Sequence, residues 1–455
     1  MKKNGVFTLL IPALLVISCA SKQNVYQEID VAVNENQFDT AVKTLVSAQE
    51  AKNPIYSEKE SIILFLDKGL LEHYAGNYKT SSENLQNAER LIEEAYTKSV
   101  TADIMSYIAN DNIKEYPGED FEDIYLNIFN ALNYYKMGNT EGALVEVRKL
   151  SIQNGKLDML ARKYEYKDPK SGASLEDLAK KQAGDSQLPK GKPVEFSNSA
   201  LARYLAALFY LADGKIDSSR IEFEQLQRAF LTNTNVYYNP LPKAIEESSK
   251  PVPAGKARLN VLSFTGLSPI KEEEIVVHYF PFFRTSVLHI ANFKLPKMAQ
   301  RPSKINRIEV LVNKEGGSET QNFELELLED MGKVIEETFA IRYASTVVKT
   351  YIRTLLKYVA TDLIAAGIAE KQSELLALVS AITAKAIFEE TEKADIRMSR
   401  YLPDKAYIGG INLDPGKYDV TINFYSANNL ISSENYSDVQ VRERTLNLID
   451  SVNLR

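Results

Sequence analysis

Gly76-Asn77-Tyr78-Lys79-Thr80-Ser81, followed by Leu85 and Ala88, is the stretch that decides the first half of this chain. Glycine and asparagine end one helix readily, and the apolar residues that follow recur at helical spacing. The phrase therefore reads as a turn that opens a second helix. It returns three times. Asn36-Gln37-Phe38-Asp39-Thr40-Ala41 precedes Leu45 and Ala48, Gly138-Asn139-Thr140-Glu141-Gly142-Ala143 precedes Val147 and Leu150, and Gly214-Lys215-Ile216-Asp217-Ser218-Ser219 precedes Phe223 and Leu226. Gly69, Ala131 and Ala207 stand upstream of their turns, where a small side chain lets two helices approach. Tyr134 and Tyr210 come just before the turns. The spacing predicts helical hairpins in series.

The phrase resembles the second half of a tetratricopeptide (TPR) repeat, a helix–turn–helix unit of about 34 residues. The resemblance implies a repeat array over 29–235, with the first helix of each unit lining a groove. The turns fall at 36, 76, 138 and 214, too far apart for a regular array. Extra segments must interrupt it. The stretch 167–193 is one, rich in Lys, Asp, Gly, Ser and Pro, and is expected as an insertion loop.

The chain changes character at 236–256, where Pro240, Pro242, Pro251 and Pro253 predict a linker. Beyond it the apolar period shifts toward two. Arg258–Phe264, Ile275–Phe283, Arg307–Val312, Asn322–Leu328, Tyr418–Phe424, Val439–Val441 and Thr445–Leu454 are expected strands, with turns at Lys314–Ser318 and Pro415-Gly416. The spans 257–330 and 394–455 then form a β-sandwich-like domain. Between them, 331–393 carries apolar residues at helical spacing with a break at Gly367, so a helical-hairpin insertion is expected. The fold class is α+β, a mainly α TPR-like domain followed by the sandwich. No βαβ alternation appears, which argues against a parallel nucleotide-binding sheet.

The N-terminus gives an address. Lys2 and Lys3 precede an apolar run from Val6 to Ile17, too short to span a bilayer. Val16-Ile17-Ser18-Cys19-Ala20-Ser21 follows, and Cys19 is the chain's single cysteine. This resembles the lipobox of bacterial lipoproteins. It implies a signal peptide at 1–18, a lipid on Cys19 and a tether at 19–28. The absence of aspartate after the cysteine favours the outer membrane over the inner. Once the thiol is lipidated no disulfide is possible, so the core alone must hold the fold. The net charge of −7 carries no basic block, which argues against nucleic acid as a partner.

Further phrases carry a family resemblance. They are Tyr116-Pro117-Gly118-Glu119-Asp120-Phe121-Glu122, Asn130–Tyr135, Val145–Lys149, Gly266–Glu272, Arg397, Leu402-Pro403 and Leu413–Gly416. Together they resemble a largely uncharacterised family of bacterial lipoproteins with TPR-like repeats. The resemblance implies an exported, lipid-anchored repeat protein and supplies no catalytic residues.

Asp123, Asn127, Asn130 and Asn133 form a polar strip at helical spacing. Asn both donates and accepts, which suits a peptide backbone in a groove. The plain alternative is a solvated face. Glu119, Asp120 and Glu122 stand where carboxylates would complement a helix start, a simpler role than a metal site. Arg342, Lys349, Arg353 and Lys357 form a basic stripe that could meet lipid headgroups or an acidic partner, or merely face water. Ser268-Pro269-Ile270-Lys271 matches Ser-x-x-Lys, but a proline after the serine suits no helix-borne nucleophile, and the companion motifs are missing. His278 and His289 flank the aromatic run Tyr279–Phe283 and are expected as packing residues.

These features predict no enzyme, no metal and no cofactor beyond the lipid. They point to an envelope scaffold that docks a protein partner through the repeat groove, in envelope assembly or secretion. A cell-wall enzyme or enzyme activator, and a ligand-binding sensor, are the alternatives.

Overall fold

The computed structural model describes residues 10–99, 112, 114–150, 199–281, 288–317, 319–340, 342–343, 346–347, 350 and 393–455. Its helices are α1 (Leu10–Asn34), α2 (Phe38–Glu50), α3 (Ser61–Tyr74), α4 (Tyr78–Ser99) and α5 (Asp120–Lys136), then α6 at 140–150. Next come α7 (Ala200–Ala212), α8 (Ile216–Thr232), α9 (Lys243–Ser249) and α10 at 331–340.

The four repeated phrases share one turn geometry. Asn36, Gly76, Gly138 and Gly214 sit at φ of 58°, 80°, 72° and 73°, in the left-handed region. At each, two amides fold back onto the helix just ended. Gly76 N donates to His73 O at 2.9 Å, and Asn77 N to Glu72 O at 2.8 Å. The same pair of bonds recurs at the other three turns. This closes the last carbonyls of one helix and aims the chain into the next. Glycine suits the position because a Cβ there is strained, and asparagine is the usual substitute. The hairpins α1–α2, α3–α4, α5–α6 and α7–α8 result. Gly69 shows the close approach directly. A Cβ on it would lie 2.6 Å from Leu85 Cδ2 of α4.

The strands are β1 (Ala257–Leu267), β2 (Ile270–Pro281), β3 (Leu288–Ala299), β4 (Arg307–Lys314), β5 (Thr320–Glu324), β6 (Glu326–Asp330), β7 (Pro403–Leu413), β8 (Gly416–Ser426), β9 (Asn429–Val441) and β10 (Asn447–Asn453). One sheet runs β10-β1-β7-β6, the other β5-β4-β8-β9, and β2-β3 stand as a separate ribbon. The architecture is α+β. β1 and β10 pair in parallel, Leu259 opposite Asn447 through Thr265 opposite Asn453. They come from opposite ends of this half rather than from a crossover unit. The run expected as one strand, Asn322–Leu328, divides at Leu325. Its first part joins the second sheet through β4 and its last part the first sheet through β7. Leu325 itself is buried, and its amide donates to Ile308 O at 3.0 Å. β3 answers to no sequence expectation. Its Asn-Phe-Lys-Leu run alternates, but Pro296 interrupts the strand signal.

Every residue of β1 is buried. Leu259 and Val261 join a core with Ile308, Val310, Val312, Tyr418, Val420, Ile422 and Phe424 of the second sheet. Leu262 and Phe264, of the opposite parity, join a core with the helices. The first sheet is therefore a middle layer, sharing one apolar core with the helices and a second with the other sheet. The stretch 236–256, expected as a linker, is packed. It contains α9, whose Ala244 and Ile245 are buried, and Tyr237 stacks on Phe230 at 4.7 Å. Pro242 serves as the N-cap of α9, so the prolines punctuate structure here without loosening it. The expected tether is likewise helical. α1 runs through Cys19, and Val25 and Tyr26 already pack on the core, since they share the helical spacing of Ile29 and Val33. Of the expected helical insertion, α10 is described, and most of 341–392 lies outside the described residues. The insertion loop 167–193 lies outside them too. No helix among the described residues is long and apolar enough to cross a membrane.

Candidate functional site

The helices α3, α5 and α7 meet the first sheet, and α1, α3 and α5 meet the irregular segment 393–402 that leads into β7. Phe129 of α5 packs on Phe264 of β1, ring centroids 5.0 Å apart. Around this apolar contact the seam is threaded by buried carboxylates, each supplied with donors by the chain itself.

Glu329 of β6 is fully buried. Tyr125 OH donates to Oε1 at 2.8 Å, Tyr237 OH to Oε2 at 2.8 Å, Ser199 Oγ at 3.0 Å, and Leu201 N at 3.1 Å. The carboxylate thus caps the start of α7, where the helix dipole favours negative charge. Burial still pushes its pKa above the usual carboxylate range. Asp67 of α3 accepts from Tyr56 OH at 2.6 Å, Ser399 Oγ at 2.7 Å and Arg400 N at 2.8 Å. Glu122 of α5 accepts from Tyr116 OH and Glu119 N, both at 2.8 Å, and from Ser399 N at 2.6 Å. Burial, with the Glu119 charge beside it, pushes Glu122 up to about 7, and burial also raises Asp67. Two successive amides, those of Ser399 and Arg400, are thus held by acids on two different helices.

A further buried cluster joins α3, α5 and β10. Ser81 Oγ donates to Gly69 O at 2.6 Å, so it accepts from Asn133 Nδ2 at 2.8 Å. That fixes the Asn133 amide with Oδ1 toward His73 Nδ1 at 2.7 Å, and Nδ1 must carry a proton. His73 Nε2 lies 3.4 Å from Asp450 Oδ2, and Lys136 pairs with the same carboxylate. Burial acts to raise the Asp450 pKa, but Lys136 and His73 outweigh it and hold the group well below its ordinary value.

Of the polar strip predicted to line a groove, Asp123 is half-buried and the three asparagines are interior. Asn127, Asn130 and Asn133 are each 0% exposed. Asn130 Oδ1 accepts from Ser82 Oγ of α4 at 2.7 Å, and Asn127 Nδ2 donates to Asp123 O at 2.8 Å. Asn130 and Asn133 face the neighbouring hairpin, and a peptide cannot reach the three asparagines. The reason is the close stacking of α4 on α5, which helical spacing alone does not show. The capping expectation holds. Glu119 is the N-cap of α5 and forms a capping box with Glu122. Of the basic stripe, Arg342 pairs with Glu119 at 3.0 Å and Asp120 at 2.8 Å. Lys349, Arg353 and Lys357 lie outside the described residues. Lys271 pairs with Glu119 and Ser268 is buried. His278 and His289 fall on the paired strands β2 and β3, at the positions facing Ala291 and Phe280. Among the described residues no group of His, Cys, Asp and Glu could hold a metal ion.

Sequence reasoning missed Asp67, Glu329, Asp450, His73 and the segment 393–402. One signal was available for the acids. Asp67 interrupts Ile62–Leu71 and Asp450 follows Leu448-Ile449, each a carboxylate inside an apolar run. Such a residue must find buried donors if the run is buried. Neither a family model nor a curated protein matches this sequence.

Proposed function

We propose that this protein is a lipid-anchored envelope scaffold, tethered through Cys19 on the periplasmic or outer face of a bacterial outer membrane. Its hairpins act as a TPR-like array, its two four-stranded sheets as a β-sandwich, and together they dock a protein partner. The observation that carries this reading is the grip of α3 and α5 on an extended segment. Asp67 and Glu122 take the amides of Arg400 and Ser399 at 2.8 and 2.6 Å, which is how a groove holds a peptide backbone. The buried carboxylates favour this over hydrolytic chemistry, because the chain's own donors already occupy the oxygens that a substrate would need.

The test has two readouts. A Cys19→Ser protein should fold like the wild type, leave the membrane fraction, and lose its set of in-cell crosslinked partners. If it stays with the membrane, the anchor is wrong. A wild-type protein that crosslinks to no other protein would sink the scaffold.

A further inference from the structure

Residues 393–402, Lys-Ala-Asp-Ile-Arg-Met-Ser-Arg-Tyr-Leu, lie along α1, α3 and α5 without helix or strand of their own. Their main chain is satisfied mostly by side chains. Asn112 Nδ2 donates to Lys393 O at 2.8 Å, and Ala394 N donates to Glu273 at 2.9 Å. Ser399 N and Arg400 N go to Glu122 and Asp67, and Tyr74 OH donates to Tyr401 O at 2.8 Å. The Arg400 guanidinium meets Asp30 of α1 at 3.0 Å and lies over the Tyr26 ring at 4.4 Å. Met398, Tyr401 and Leu402 are buried. This is the contact set of a bound peptide: backbone bonds, apolar insertions and two arginine anchors, Arg400 and also Arg397, whose Nη1 donates to Lys114 O at 2.9 Å.

We infer that this face is a binding site for an extended, arginine-bearing segment of a partner protein, and that 393–402 holds it closed in cis. The inference rests on the scaffold reading and names what regulates that site. Charge complementarity selects the occupant. Asp30 takes the guanidinium, while Asp67 and Glu122 take main-chain amides that any extended chain offers, so an extended chain carrying an arginine in the place of Arg400 meets the same partners. The cis segment is also an imperfect fit. Asp30 Oδ1, Arg400 Nε and Tyr401 OH are buried without a hydrogen-bond partner, and each such atom weakens the hold. The stretch 393–399 pairs with no strand, so it can lift while the β1–β7 ladder stays intact.

Hydrogen exchange on the unaltered full chain tests whether the segment opens. The amides of Ser399 and Arg400 should exchange at least about ten-fold faster than those of Leu262 and Ile408 in the central ladder. Equal protection would mean that the segment opens only with global unfolding, and would overturn the inference. The second arm uses a fluorescent peptide of residues 393–402 as the probe. Arg400→Ala loosens the cis segment, so this chain should bind the probe about ten-fold tighter than the wild type, a change of about 1.4 kcal/mol. Adding Asp67→Asn should abolish that gain. A folded Arg400→Ala chain that ignores the probe, or binding indifferent to Asp67, would count against the site. The exchange arm needs no variant to fold, and neither arm depends on the Cys19 anchor.

Discussion

The two faces of β1 are buried in different ways. On one, Leu259 and Val261 meet the aliphatic and aromatic side chains of the second sheet. On the other, Leu262 and Phe264 meet the helices, beside a seam threaded by Glu329, Glu122, Asp67 and Asp450. The sheet–sheet core is held by area removed from water, which tolerates changes of shape. The seam is held by directional bonds to buried charges, which do not. A core of the first kind says that two layers pack. A seam of the second kind says which residues of the helical array sit on which residues of the sheet. We attribute the single docking geometry of the two halves to the carboxylates.

The contrast can be broken in several ways. Glu329→Ala should have the largest effect, about 3–5 kcal/mol in a denaturant melt, because Tyr125, Tyr237, Ser199 and the Leu201 amide would all be left buried without their acceptor. Near-isosteric changes sharpen the comparison. Glu329→Gln should cost about 1–3 kcal/mol by turning a donor toward donors, whereas Ile422→Val in the sheet–sheet core should cost about 0.5–1.5 kcal/mol. If the valine change proved the costlier, the seam would not be the more exacting surface.

pH offers a subtler probe. Glu122 is raised from 4.5 to about 7 in the fold, so between those values the folded chain binds a proton that the unfolded chain has lost. Its contribution is present below about 4.5 and disappears as pH rises through about 7, at up to about 1.4 kcal/mol per pH unit. Asp450, held low, acts in the opposite sense, and its contribution fades only in strong acid. Glu122→Gln should therefore flatten the fall in stability between about pH 4.5 and 7. An unchanged slope would remove Glu122 as its source. The smallest effect is expected from Arg90→Ala, which breaks a surface pair with Glu94 at 2.6 Å and should shift stability by less than about 0.5 kcal/mol. A larger loss would show that surface pairs rival the seam.

Much of the fold was legible because local spacing carries it. The four turn phrases mark four hairpins, since the left-handed position at each needs glycine or asparagine. The alternation in Tyr418–Phe424 marks β8 because one of its faces is buried. The site was far less legible. Asn127, Asn130 and Asn133 have the spacing of a groove and the burial of a packing face. Spacing says which residues share a face but not what covers it. Asp67 and Ser399 lie 332 residues apart in the chain, and no local pattern connects them.

Turn chemistry and apolar period suffice for the hairpins and for most of the strands. Those depend on interactions between near neighbours, and side-chain type encodes them directly. The filled array face, the division of one strand between two sheets at Leu325, and the carboxylate seam emerge only in three dimensions. Each depends on groups brought together across the whole chain, where burial and donor supply decide whether a residue meets water, a partner or the protein itself.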